Sequence, residues 1–233
     1  MTKNDIIRTG KYVLETEAKA VKALASGLDE NFAKAVELLF QTKSRVIVTG
    51  MGKSGHVGRK IAATLASCGT PAIFIHAAEA GHGDLGMILK EDILIAISYS
   101  GETRELVDLL DYVKRTGIKL ISITGDKNSK LGKYSDIVLE AKVEREAEPN
   151  SMIPTASSTA ALAMGDAVAI ALMKKKGFGE KDFAFVHPRG EARKKLIKIK
   201  NLMHKGREVA RVSQKTPMKA VLEEMTKKEL GMT

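Results

Sequence analysis

The chain has 233 residues, 44% of them hydrophobic, with five prolines, one cysteine and a formal net charge of +10. That length suits one sizeable α/β domain with an appendage. The lone Cys68 excludes an internal disulfide framework and reads as a small buried residue. The charged start MTKNDIIRTGKYVLETEAK is unlike a signal peptide. No apolar run reaches the roughly 18–20 residues of a membrane span, so a cytoplasmic protein with no membrane partner is expected.

The charge is unevenly placed. Residues 174–233 hold 17 Lys or Arg against 7 Asp or Glu, whereas residues 1–173 balance at 21 of each. The basic residues alternate with Leu196, Ile197, Ile199 and Leu202 and have few aromatic neighbours. This reads as a solvated basic face rather than a nucleic-acid surface. The charge boundary marks a change of module near 175–200.

In chain order, Ile6, Ile7, Val13, Leu14, Val21 and Leu24 share one helical stripe over 3–26, and 31–41 continues in the same style. Five short apolar runs follow: Val46–Thr49, Ala72–His76, Ile93–Ser98, Leu120–Thr124 and Ile137–Leu139. Helical segments are expected between them at Val57–Ser67, Glu102–Arg115 and Ser129–Tyr134. Strands apolar on both faces that alternate with helices define a parallel sheet covered on both sides. The expected class is a doubly wound, flavodoxin-like α/β fold, whose ligand crevice lies past the carboxyl ends of the strands. Thr155–Lys176 predicts a helix apolar almost all round, buried in the chain or in a subunit interface. Thr216-Pro217 opens a last amphipathic helix, Met218–Glu229, and the apolar ending Leu230–Thr233 reads as cut short before a strand.

Two turns carry chemistry. GMGKSGHVGRK, residues 50–60, satisfies G-x-G-x-x-G after a strand and at a helix start, which suits an anion. A P-loop would need a glycine where Ile47 stands. A dinucleotide site would need an acid at the end of the second strand, but Phe74-Ile75-His76 ends that strand and Glu79 lies beyond it. The second turn, Ser98-Tyr99-Ser100-Gly101-Glu102-Thr103, offers hydroxyls, backbone amides and a helix start together. One such turn is an ordinary helix cap. Two of them bordering one crevice point to a phosphate monoester.

GMGKSGHVGRKIAATLASCGTP, HAAEAGHGDLGMI, AISYSGETREL and PTASSTAALAMGDAVAIAL, with their spacing, closely resemble the sugar-isomerase (SIS) domain of arabinose 5-phosphate isomerases over about residues 5–195. The GMGKSGH, HGDLGM and FxxxHPxG elements are narrower than the general S-x-S-G-x-[ST] turn and favour that branch. The tail from Asn201 resembles the first half of a cystathionine β-synthase (CBS) module, so residues 1–195 and 196–233 are expected to form two parts. The resemblance implies interconversion of ribulose 5-phosphate and arabinose 5-phosphate through an enediol, without metal or cofactor. It also implies a homotetramer with shared sites, and a product that feeds the eight-carbon acid of bacterial lipopolysaccharide or capsules.

By the same resemblance the catalytic residues fall on Lys53, Glu105, Glu146 and His187, while Ser98, Ser100, Thr103 and Ser54 hold the phosphate. Each has an ordinary alternative. Lys53 could be a solvated turn lysine, Glu105 a partner of the helix dipole, and His187 structural. The residues alone leave Glu146 level with Glu144 and Glu148. Either Glu146 or His187 would shuttle the C1/C2 proton, and His82 and His56 stand in reserve. The chain departs from the family where Tyr99 replaces a common asparagine, and where Arg189 and Glu191 follow His187. Its rivals are an isomerase of another sugar phosphate, a sugar-phosphate sensor without turnover and, more distantly, an NAD oxidoreductase.

Overall fold

The computed structural model describes residues 1–187, 203–229 and 231–232. By its internal contacts the chain divides into two units, Met1–Val186 and His187–Thr233.

In the first unit, helices α1 (Lys3–Gly27) and α2 (Glu30–Gln41) precede strand β1 (Val46–Gly50). Then come α3 (Gly52–Ser67), β2 (Ala72–His76), α4 (Ala77–Ala80), a 3₁₀ turn (Asp84–Met87) and β3 (Ile93–Ile97). They are followed by α5 (Arg104–Thr116), β4 (Lys119–Thr124), α6 (Lys130–Tyr134), β5 (Ile137–Glu140), α7 (Ala156–Lys175) and α8 (Glu180–Val186). The strands are all parallel in the order β2-β1-β3-β4-β5. This is the expected doubly wound sheet, with its switch point between β1 and β3.

Side chains alternate across the strands and so build two cores. Val46, Val48, Ile95, Ile97 and Ile123 face α1, α2, α3 and α7. Ile47, Leu94, Ala96 and Leu120 face α4 and α5. By length and composition α7 could cross a bilayer. Here it packs against α1, α2 and α3, with Ala160, Val168, Ala169 and Leu172 buried. Gly165 lets α7 approach α3, because a Cβ there would collide with the Ile61 side chain. Cys68 is buried beyond the end of α3, and burial pushes its thiol pKa up, as expected for an inert residue.

Two boundaries differ from the sequence expectation. Helix α3 begins at Gly52 rather than Val57, so Lys53 and Ser54 lie in its first turn. The glycines serve packing: a Cβ at Gly55 would stand 2.9 Å from the Gly50 carbonyl oxygen, and one at Gly58 3.0 Å from the Phe74 ring. Between β2 and β3, where the sequence predicts no helical segment, the chain forms α4, which holds Glu79, and the 3₁₀ turn Asp84–Met87.

Far from the crevice, a buried carboxylate ties the amino ends of β1 and β3 together. Asp92 accepts from the Ser44 hydroxyl at 2.5 Å, the Arg45 amide at 3.0 Å, the Arg45 guanidinium at 2.9 Å and the Leu89 amide at 2.9 Å. Burial pushes its pKa up, but the bonds from Arg45 and Ser44, with those backbone amides, outweigh burial and hold it below the usual value. The stabilisation from Asp92 is therefore full above the unfolded-state pKa and is lost as pH falls through the lower folded value. Asp92→Ala should cost about 2–3 kcal/mol, since it strands buried donors. A urea melt at neutral pH checks this, and the difference from wild type should shrink in acid.

In the second unit, a 3₁₀ turn (Gly206–Glu208) precedes α9 (Met218–Lys228), which starts after Pro217 as its sequence predicts. The Lys228 ammonium donates to the Arg207 carbonyl. Arg189, Glu191, the Pro188 and Gly190 of the FxxxHPxG element, and the expected boundary at 195/196 lie outside the described residues.

Candidate active site

Strands β1, β3, β4 and β5 end at a cleft of about 200 Å³. Met51, Lys53 and Ser54 line it from the start of α3, and Ile97 and Tyr99 from the end of β3. Ile123, Thr124 and Gly125 line it from β4, and Ala141 from just past β5. Pro154, Ser157, Ser158 and Ala161 close it from the start of α7. Of the residues expected to be functional, Lys53 and Ser54 are in this wall. Ser157, Ser158 and Thr124 were not foreseen. The only local signal was the run PTASS, which reads equally well as the start of a buried helix.

Ser98, Ser100 and Thr103 form the turn next to this cleft, immediately after β3. The buried Ser98 hydroxyl lies 2.8 Å from the Thr103 hydroxyl and accepts from the Gly101 amide at 3.1 Å. The Ser100 hydroxyl accepts from the Glu102 amide at 3.3 Å. Gly101 has φ +65°, and a Cβ there would run into the Ser129 side chain. Glu102 fastens the turn from outside by accepting from the Lys130 amide at 2.8 Å. The Ser98 and Thr103 hydroxyls thus hold one another in place, and the Ser100 hydroxyl is held by the Glu102 amide. Glu105 sits half-buried in the first turn of α5.

Glu146 is 8% exposed and reaches the amino end of α7. Its Oε2 accepts from the Thr155 amide at 2.7 Å, the Thr155 hydroxyl at 2.9 Å and the Ser157 amide at 3.2 Å. Burial pushes its pKa up, but the bonds from Ser157 and Thr155 outweigh burial and hold it below the usual carboxylate value. It is not itself in the cleft wall and stands behind Ser157, which is. Glu144 pairs instead with Lys19 at 2.5 Å, and Glu148 accepts from the Asn150 and Met152 amides, so the three neighbouring acids are separated by their partners. His82 is exposed between α4 and the 3₁₀ turn. His56 is exposed on α3. His187 belongs to the second unit.

Of the helices that begin at this edge of the sheet, α3, α5 and α7 start beside the cleft and the serine-rich turn. Each helix start carries partial positive charge and unpaired amides. The Glu146 carboxylate already satisfies α7. No side chain caps α3 or α5. An incoming anion therefore finds its open donors at α3 and α5, the corner holding Lys53, Ser54 and the Ser98–Thr103 turn.

A strand-turn-helix crevice of this kind, with a serine-rich turn after β3, is that of a sugar-phosphate-binding α/β domain. Residues 38–171 match the family model of the SIS domain. The chain is 50% identical over 230 residues to the arabinose 5-phosphate isomerase KdsD of Pseudomonas aeruginosa, covering 98% of this chain and 71% of that protein. It is 46% identical to the arabinose 5-phosphate isomerase KdsD of Escherichia coli K12, covering 98% of this chain and 70% of that protein. Among solved structures, an Escherichia coli CFT073 protein in complex with arabinose 5-phosphate superposes with a TM-score of 0.78 at 42% identity, covering 81% of this chain and all of that one. The chain belongs to the SIS-domain family and, within it, to the arabinose 5-phosphate isomerases.

Proposed function

We propose that this chain interconverts D-ribulose 5-phosphate and D-arabinose 5-phosphate through an enediol intermediate. The observation that carries the geometry is the pair of open helix starts at α3 and α5, beside the preset Ser98–Thr103 turn and the Lys53 ammonium. The phosphate sits on Ser98, Ser100 and Thr103 with help from Ser54. The sugar chain then runs along the cleft between Lys53 and the start of α7. Moving a proton between C1 and C2 needs a base, and it develops negative charge on the adjoining oxygens. Glu146 or His187 carries the proton, the other assists ring opening or oxygen protonation, and Lys53 meets the developing oxyanion, with Glu105 a further catalytic candidate. His82 remains a reserve donor.

The protein works in the cytoplasm as a homotetramer whose subunits share sites, and its product supplies the eight-carbon acid of lipopolysaccharide or capsules. Residues 1–195 form the isomerase domain, and 196–233 are the first half of a CBS module. The test is to incubate the protein with ribulose 5-phosphate in D₂O and follow the sugar by NMR. Arabinose 5-phosphate labelled at C2 is the expected result. Binding without conversion would make the chain a sugar-phosphate sensor instead.

A further inference from the structure

Tyr99 is placed to measure the substrate. It follows Ser98 directly, so strand alternation turns its side chain toward the cleft while Ser98 turns the other way to bond Thr103. Its backbone is pinned, because its carbonyl accepts from the Gly125 amide at 2.9 Å and the Thr124 hydroxyl at 3.3 Å. The ring lies flat against Gly125, where a Cβ would come within 2.7 Å of Cδ2 and 2.9 Å of Cζ. Its phenol oxygen stands 3.4 Å from both the amide nitrogen and the carbonyl oxygen of Val143, three residues before Glu146. The side chain thus spans the distance from the phosphate turn to the segment that carries the candidate base.

We propose that Tyr99 is a specificity-determining residue that fixes the length of sugar phosphate the cleft accepts. The inference rests on the isomerase reading above. A ligand anchored by its phosphate at Ser98–Thr103 must place C1 and C2 near Lys53 and the start of α7, and the ring forms the wall along that path. One more hydroxylated carbon would press a hydroxyl against the ring and against Ile97, Ile123 and Ala141, leaving it desolvated and unpaired. Removing the ring opens that wall. Removing only the phenol oxygen leaves it standing.

The experiment compares kcat/KM for ribulose 5-phosphate and fructose 6-phosphate in the wild type, Tyr99→Phe and Tyr99→Ala. The wild type should favour the five-carbon sugar by about 10- to 200-fold, the range for one carbon in a shaped pocket. Tyr99→Ala should narrow that ratio about tenfold, and Tyr99→Phe should keep it. The ratio is independent of the fraction of protein that is active, so a merely structural loss leaves it unmoved. Should Tyr99→Ala fail to fold, Tyr99→Leu keeps an apolar contact with Gly125 while shortening the wall. An unchanged ratio in the shortened variants overturns the proposal. If the wild type converts neither sugar, the isomerase reading is what fails. The same ratio can then be read from the protection each sugar phosphate gives against thermal unfolding.

Discussion

Lys53→Met should lower kcat and kcat/KM together, on the order of 10²- to 10³-fold, as expected when one stabiliser of a developing oxyanion is removed. KM for ribulose 5-phosphate should stay within a few-fold, because the phosphate keeps its turn and its two helix starts. The unfolding midpoint should hold or rise slightly. Lys53 is exposed in the first turn of α3, a turn without an acidic residue, and has no ion pair among the described residues. A cation there opposes the helix dipole, at a cost of a few tenths of a kcal/mol. A lysine that brings no stability at its own position, yet lines the cleft, is best explained by what it meets in the cleft. Steady-state kinetics alongside a thermal melt check both halves. A drop confined to KM would make Lys53 a phosphate ligand and remove it from the chemistry.

The sheet was legible because strands buried on both faces must be apolar on both faces, and Val46–Val48, Ile93–Ile97 and Leu120–Ile123 are unbroken runs but for Ser122. Connections long enough to hold a helix then left the doubly wound order as the natural solution. The serine-rich turn after β3 was legible for a related reason, since its serines, glycine and threonine lie within six residues of one another and bond among themselves. The start of α3 was misplaced because glycines read as breakers. Their true demand is tertiary: Gly55 touches Gly50, and Gly58 meets the Phe74 ring in the following strand. The family resemblance supplied Glu146, and the residues alone could not. What separates it from Glu144 and Glu148 is a bond to a helix that starts ten residues later. Tyr99 stood out as a departure, but the role proposed for it depends on its contacts with Gly125 and Val143, which no local pattern joins to it. The wall at Ser157 and Ser158 was hidden the same way, because a serine in a helix start caps, packs or binds with the same letters.

Glu146 supports two roles that a pair of substitutions can separate. Its carboxylate satisfies three donors at the amino end of α7, and charge and dipole act together there. Its pKa is lowered, so its contribution to stability is full above the unfolded-state value near 4.5 and is lost as pH falls through the lower folded value. Glu146→Ala should therefore cost about 1–3 kcal/mol, by stranding buried donors. Glu146→Gln keeps a carbonyl oxygen in the same place, so it should cost under about 1 kcal/mol and remove most of the acid sensitivity tied to this site. As a base the amide is useless, because it cannot take a proton from carbon. If Glu146 moves the C1/C2 proton, Glu146→Gln loses on the order of 10²- to 10⁴-fold in turnover with little change in its melt. Exchange of the substrate's carbon-bound proton with D₂O should fall with it. The carboxylate stands behind Ser157, so this is the sharpest test of the site. A Glu146→Gln protein that still turns over would make Glu146 the cap of α7 alone and leave proton transfer to His187.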